Sequence, residues 1–329
     1  MNEAINKIFG RDNRYYLMGM AIIWIVLFHV YLWTDMSDIK TTWWIESFDK
    51  GALGVDIFLL LSAFGLQASI DHNSIGRFYQ NRLKRLFPVY LFFLFCLFLV
   101  FERNCPLDRV VIQCLCQITG LSLFKYPEFF SCGFCFDWFT PAIILVYIVF
   151  PIISKTVVWI HRKGILAEVI VLLLCVFVGS WIRENKHFPF GLLAFRFPII
   201  YLGITTYLYL KNGEIKHLLL IILIGACYGL LSGNEEMRLS LLLPPVLTIY
   251  SLLPHKLPLF RSIGFIGRYS FEIYLAHIFP VAFIIPLKIS ENVFVLLLLT
   301  VVATIFISCI FICAHKILCH FGNKITLKC

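Results

Sequence analysis

Four stretches of this sequence carry side chains able to do acid–base or phosphate chemistry within otherwise apolar surroundings. The first is MAIIWIVLFHV, Met20 to Val30, where His29 interrupts an apolar run. It lies about 14 residues into that run, roughly 20 Å from its N-terminal end at 1.5 Å per residue, too far for easy snorkelling to the inner surface. An ionisable group at such a depth is costly and normally faces other helices or a water-filled cavity. Two readings stand for it: a neutral imidazole hydrogen-bonded across helices, or a general base, whose basicity suits work near neutral pH.

The second stretch is GALGVDIFLLLSAFGL, Gly51 to Leu66. Asp56 near its start is either a partnered structural acid or a site residue, and the small residues, Ser62 among them, allow close helix packing. The third, GRFYQNRLKRLFPVY, gathers Arg77, Arg82, Lys84 and Arg85 just ahead of an apolar run opened by Pro88. Arg82 and Arg85 are three apart and share a helical face. Two forked guanidiniums aimed together suit phosphates such as those of coenzyme A, whereas anchoring at the inner membrane surface would need no such aim. The fourth, GRYSFEIYLAHIFP, places Glu272, Tyr274 and His277 close together, and Glu272 could pair with Arg82 or Arg85. Outside these four, Trp138 and Phe139 in FDWFTPAIILVY read as interfacial anchors or as a surface on which a sugar stacks.

These residues need elements to hold them, and the composition says what kind. Of 329 residues, 60% are hydrophobic and 14% charged, with mean hydropathy +0.87. A soluble domain carries about 25% charged residues, so too few polar side chains exist here for a water-facing shell. The expected fold is an all-α polytopic membrane protein, a bundle of about ten transmembrane helices. The runs fall near 15–33, 51–70, 86–102, 138–158, 165–182, 191–210, 216–232, 238–253, 266–288 and 292–314. Segment 108–124 is apolar but short and broken by Gln113, Gln117 and Gly120, and reads as interfacial or re-entrant, with an eleventh span as the alternative. Basic residues concentrate in alternate loops, which predicts both termini cytoplasmic. That loop bias also accounts for the net charge of +9 without nucleic acid or another acidic partner. No cleavable signal, low-complexity tract or appended soluble domain is expected, so residues 1–329 read as a single integral membrane domain.

The twelve cysteines suggest no metal site. The CGFC spacing of Cys132 and Cys135 lacks a second ligand pair, and a loop disulfide is the alternative.

Taken in order, these stretches resemble the membrane acyltransferase-3 family over nearly the whole chain. Phe28-His29 matches the buried "fH" of its first span, and GVDIFLLLSAF matches its second-span motif. Arg82, Arg85, Pro88 and Tyr90 match its basic motif, Trp138-Phe139 its "WF", and Ser270, Ile273, Tyr274, Leu275 and His277 its late "SxxIYLxH". The resemblance implies transfer of an acyl group, commonly acetyl, from cytoplasmic acyl-CoA to a saccharide hydroxyl in a bacterial inner membrane. Acyl-CoA would be a co-substrate, with no bound cofactor. His29 would be the base, and Arg82, Lys84 and Arg85 would hold the donor's phosphates. Tyr274, Ser62 or Tyr79 would supply an oxyanion donor. The family commonly carries Arg eleven residues before the histidine; Met18 stands there, and Arg14 is the expected replacement. A transporter or flippase of a lipid-linked sugar is the alternative function, in which buried His and Glu serve as relay or contact groups.

Overall fold

The computed structural model describes residues 10–37, 39, 43–124, 137–185, 190–231, 234–251, 258–290 and 292–326, so Cys132 and Cys135 lie outside the described residues. The described residues hold helices and no strand. The long helices are α1 (Arg11–Met36), α2 (Leu53–His72), α3 (Ile75–Leu97), the short α4 (Leu107–Thr119), α5 (Phe139–His161) and α6 (Ile165–Asn185). They are followed by α7 (Phe190–Phe195), α8 (Phe197–Asn212), α9 (Ile215–Leu231) and α10 (Glu235–Ser251). Last come α11 (Pro258–Arg268), α12 (Ser270–Ala276), α13 (Ile278–Ile284) and α14 (Val293–Thr326).

Among the described residues, seven segments are long and apolar enough to cross a membrane: Asp12–Met36, Trp43–His72, Ile75–Phe101, Phe139–His161, Ile165–Asn185, Phe190–Asn212 and Val293–His320. Ile215–Leu231 and Ser270–Ile284 are apolar but shorter. The surface tells the same story. On α6 the outward residues are Leu166, Ile170, Leu174, Phe177 and Trp181, while Glu168 is fully buried. A protein whose outside is as apolar as its core has lipid for a solvent.

Segment 108–124 folds as α4 and a short 3₁₀ turn. Thirteen residues rise about 20 Å, short of a hydrocarbon core of about 30 Å. The helix is inverted relative to one in water: Gln113 and Gln117 are buried, and Leu107, Val111, Ile112 and Leu115 face outward. It lies against α5.

The chain divides into two compact units. The first comprises Met1–Arg14, Asp56–Tyr79 and Cys105–Pro258. Its centre is α8, which packs against α5, α6, α9 and α10 and buries every residue from Pro198 to Leu210. The second comprises Tyr15–Val55, Gln80–Asn104 and Leu259–Cys329. There α14 packs against α12 and α13. In the same unit α1 and α11 cross with their backbones almost touching. A Cβ at Gly19 would run into the Ile263 carbonyl, and one at Gly267 into the Tyr15 carbonyl. Only glycine permits that approach.

Prolines set the remaining geometry. The apolar run near 86–102 belongs to a helix that already begins at Ile75, so the basic cluster is helical and Pro88 lies inside α3 rather than opening it. Pro88 has no N–H to offer the carbonyl of Lys84, four residues back. The Cys319 thiol of α14 donates to that carbonyl at 3.8 Å instead. A missing bond is tolerable in lipid when a neighbouring helix restores it. Pro280 likewise breaks the ladder at Ala276, and the chain turns at His277 between α12 and α13.

Candidate active site

In the second unit, α1 brings His29 against His277 at the turn made by Pro280. The ring centroids are 4.8 Å apart, and His277 Nε2 lies 3.4 Å from His29 Nδ1. The hydrogen bonds assign the tautomers. His29 Nδ1 is 2.9 Å from the Ile25 carbonyl, which can only accept, so Nδ1 carries the proton. His277 Nδ1 donates in the same way to the Tyr274 carbonyl. The Nε2 of His277 is then a bare acceptor facing the Nδ1–H of His29, and the Nε2 of His29 keeps its lone pair. His277 is 2% exposed and Tyr274 is 8% exposed, whereas His29 is only half-buried. One histidine is therefore set behind the other, and the front one presents the basic nitrogen. This is the arrangement in which a base is oriented by a second group.

Closer to the first turns of α1, a cavity of about 460 Å³ opens among α3, the α11–α12 junction and α14. Arg85, Arg268 and Lys316 supply its positive charge. Arg268 lies over the Tyr15 ring at 5.6 Å and Lys316 over the Tyr269 ring at 5.5 Å. Its carboxylate, Glu272, is 2.6 Å from His315 Nδ1. An adjoining apolar cavity of about 270 Å³ shares Tyr269 and Ile312 with it. That second space runs along Ile22 and Val26 of α1. Positions 22, 26 and 29 fall on one helical face, so His29 lies a turn beyond it.

Of the expected donor-binding residues, Arg85 lines the charged cavity, while Arg82 is half-buried and Lys84 exposed on the same helix. Sequence reasoning missed Arg268, Lys316 and His315. The expected pairing of Glu272 with Arg82 or Arg85 gives way to its bond with His315.

The remaining candidates belong to the first unit. Asp56 is fully buried and paired with Arg196 Nε at 2.9 Å, and Ser240 Oγ donates to it at 2.7 Å. Arg196 also reaches Glu236 at 3.1 Å. It lies 5.6 Å from the centre of the Trp138 ring, so Trp138 has a guanidinium partner. Arg196 occupies the break between α7 and α8, which Pro198 enforces. Its signal was present, because an arginine inside an apolar run is itself conspicuous. Tyr79 donates its hydroxyl to the Ile148 carbonyl at 2.8 Å. Ser62 is half-buried in α2. Arg14 lies against α2, where a Cβ on Gly65 would be 3.2 Å from its Nη1. Of the residues weighed as an oxyanion donor, only Tyr274 falls in the unit that holds His29.

Comparison with known proteins places the chain in a family. The model of the acyltransferase-3 family, described as an acyltransferase domain, matches residues 16–313. "Putative acetyltransferase ORF330" of Acidianus two-tailed virus is 28% identical over 282 residues, covering 80% of this chain and 81% of that protein. No solved structure matches. With the match running through both histidines and the basic helix, the chain belongs to the acyltransferase-3 family and is an acyltransferase.

Proposed function

We propose that the protein moves an acyl group, acetyl first among the candidates, from cytoplasmic acyl-CoA to a hydroxyl of a surface or lipid-linked saccharide. The observation that carries this reading is the histidine pair, in which His29 is half-buried and keeps the lone pair of Nε2. Donor phosphates bind beside Arg85, Arg268 and Lys316, and the pantetheine arm follows the apolar cavity along α1. The name of the viral relative supports acetyl as the transferred group.

His29 Nε2 takes the proton of the acceptor hydroxyl as that oxygen attacks the thioester carbonyl. The new C–O bond forms, the tetrahedral intermediate collapses, and the C–S bond breaks. The imidazolium then returns its proton to the departing thiolate. During the step the Nδ1–H of His29 is shared between the Ile25 carbonyl and His277 Nε2, which stabilises the transient cation. Around this centre we place about ten spans with both termini cytoplasmic, in a bacterial plasma membrane.

The test is His29→Ala in membranes supplied with labelled acetyl-CoA and a glycan acceptor. Loss of a general base predicts a fall of roughly 10²–10⁴-fold. Undiminished transfer at normal protein levels would sink the assignment.

A further inference from the structure

At one end of the first unit, α2 finishes, α3 starts and α5 finishes around a cavity of about 390 Å³. Lys155 near the end of α5 and Arg162 just past it, about two turns apart, line this space. Neither is in an ion pair among the described residues. The nearby carboxylate does not offset them, because Asp71 already takes Lys211 at 2.7 Å and the Tyr207 hydroxyl at 2.9 Å. Gln67 forms part of the same wall and is 2% exposed, yet its Oε1 has no hydrogen-bond partner among the described residues. A buried amide oxygen without a donor is costly, so the site has an unmet demand for a hydroxyl or N–H. The rest of the wall is apolar and includes Ile70, Val158 and Trp159. Trp159 is 60% exposed beside Lys163, whose Nζ lies 5.3 Å from its ring, a pairing typical of the headgroup level.

We infer that this cavity binds the headgroup of an anionic phospholipid that carries hydroxyls, of the phosphatidylglycerol type. The phosphodiester meets Lys155 and Arg162, a glycerol hydroxyl donates to Gln67, and a chain follows Ile70, Val158 and Trp159. Basic pockets between transmembrane helices are suited to such lipids. The site shares no residue with the histidine pair and stands whether or not acyl transfer proceeds as proposed.

The test uses the full-length protein, delipidated in detergent, with dioctanoyl lipids added and Tm read. Phosphatidylglycerol should raise Tm saturably, phosphatidic acid less, and phosphatidylcholine or inorganic phosphate not at all. Each basic contact at a membrane surface strengthens binding by roughly fivefold, so Lys155→Gln/Arg162→Gln should weaken Kd about 30-fold. Both positions are exposed, so folding is preserved in that variant. Gln67→Leu should erase the preference for phosphatidylglycerol over phosphatidic acid. An equal shift with phosphatidylcholine, full reproduction by inorganic phosphate, or an unweakened double variant would each overturn the inference.

Discussion

Replacing His277 by Phe separates a positioning role from bulk packing. The Phe ring is planar and somewhat larger in a site that is 2% exposed, and the change removes both the Nε2 acceptor facing His29 and the Nδ1 donor to the Tyr274 carbonyl. His29 keeps its bond to Ile25 at 2.9 Å and therefore its tautomer. What His29 loses is the second acceptor for its Nδ1–H once it becomes a cation. At 3.4 Å that contact is long in the resting state, and such bonds commonly tighten only as the reaction proceeds. Hydrogen bonds to charged groups are worth about 1.5–3 kcal/mol, which converts to a fall in kcat/KM of about 12- to 160-fold. The fall should reside in kcat, since His277 has no role in holding the donor. His277→Gln restores an acceptor oxygen at similar reach and should recover much of the loss. The assay is initial-rate acetyl transfer in nanodiscs, with protein amounts normalised by quantitative blotting. A His277→Phe enzyme with unchanged kcat/KM would refute the reasoning. So would a His277→Gln enzyme no better than the Phe variant in a background where His29→Ala abolishes turnover.

Two other expectations concern the charged groups. Arg85→Gln, Arg268→Gln and Lys316→Gln should each raise KM for acetyl-CoA about two- to fivefold, the scale of exposed ion pairs. S-acetyl-N-acetylcysteamine lacks the nucleotide phosphates and should show no such change; equal sensitivity of the two donors would remove the phosphates from that cavity. Arg196→Met strands the fully buried Asp56 and should destabilise the protein by roughly 3–5 kcal/mol, read as a lower Tm of the detergent-solubilised chain. A Tm unchanged from the parent would mean that the pair is not a structural element.

Much of the architecture is legible residue by residue. Transfer into hydrocarbon is a sum over neighbouring side chains, so seven long spans coincide with apolar runs visible in one dimension. The same local logic marks His29 as out of place in α1, and Gln113 and Gln117 as the polar residues that α4 turns inward. Partners are another matter. His277 is 248 residues from His29 in the chain, and Ser240 is 184 from Asp56. Nothing periodic links such positions. They meet because Gly19 and Gly267 let α1 and α11 touch, and because Pro280 and Pro198 break helices where a side chain must turn inward. The sequence alone therefore determined the solvent, seven of the spans and the presence of a histidine inside an apolar helix. Only the tertiary structure decided that a second histidine orients it, that Glu272 bonds to His315, and that Arg268 and Lys316 join Arg85. The physical reason is that burial is set by local composition, whereas hydrogen-bond geometry depends on how distant helices cross and rotate against each other.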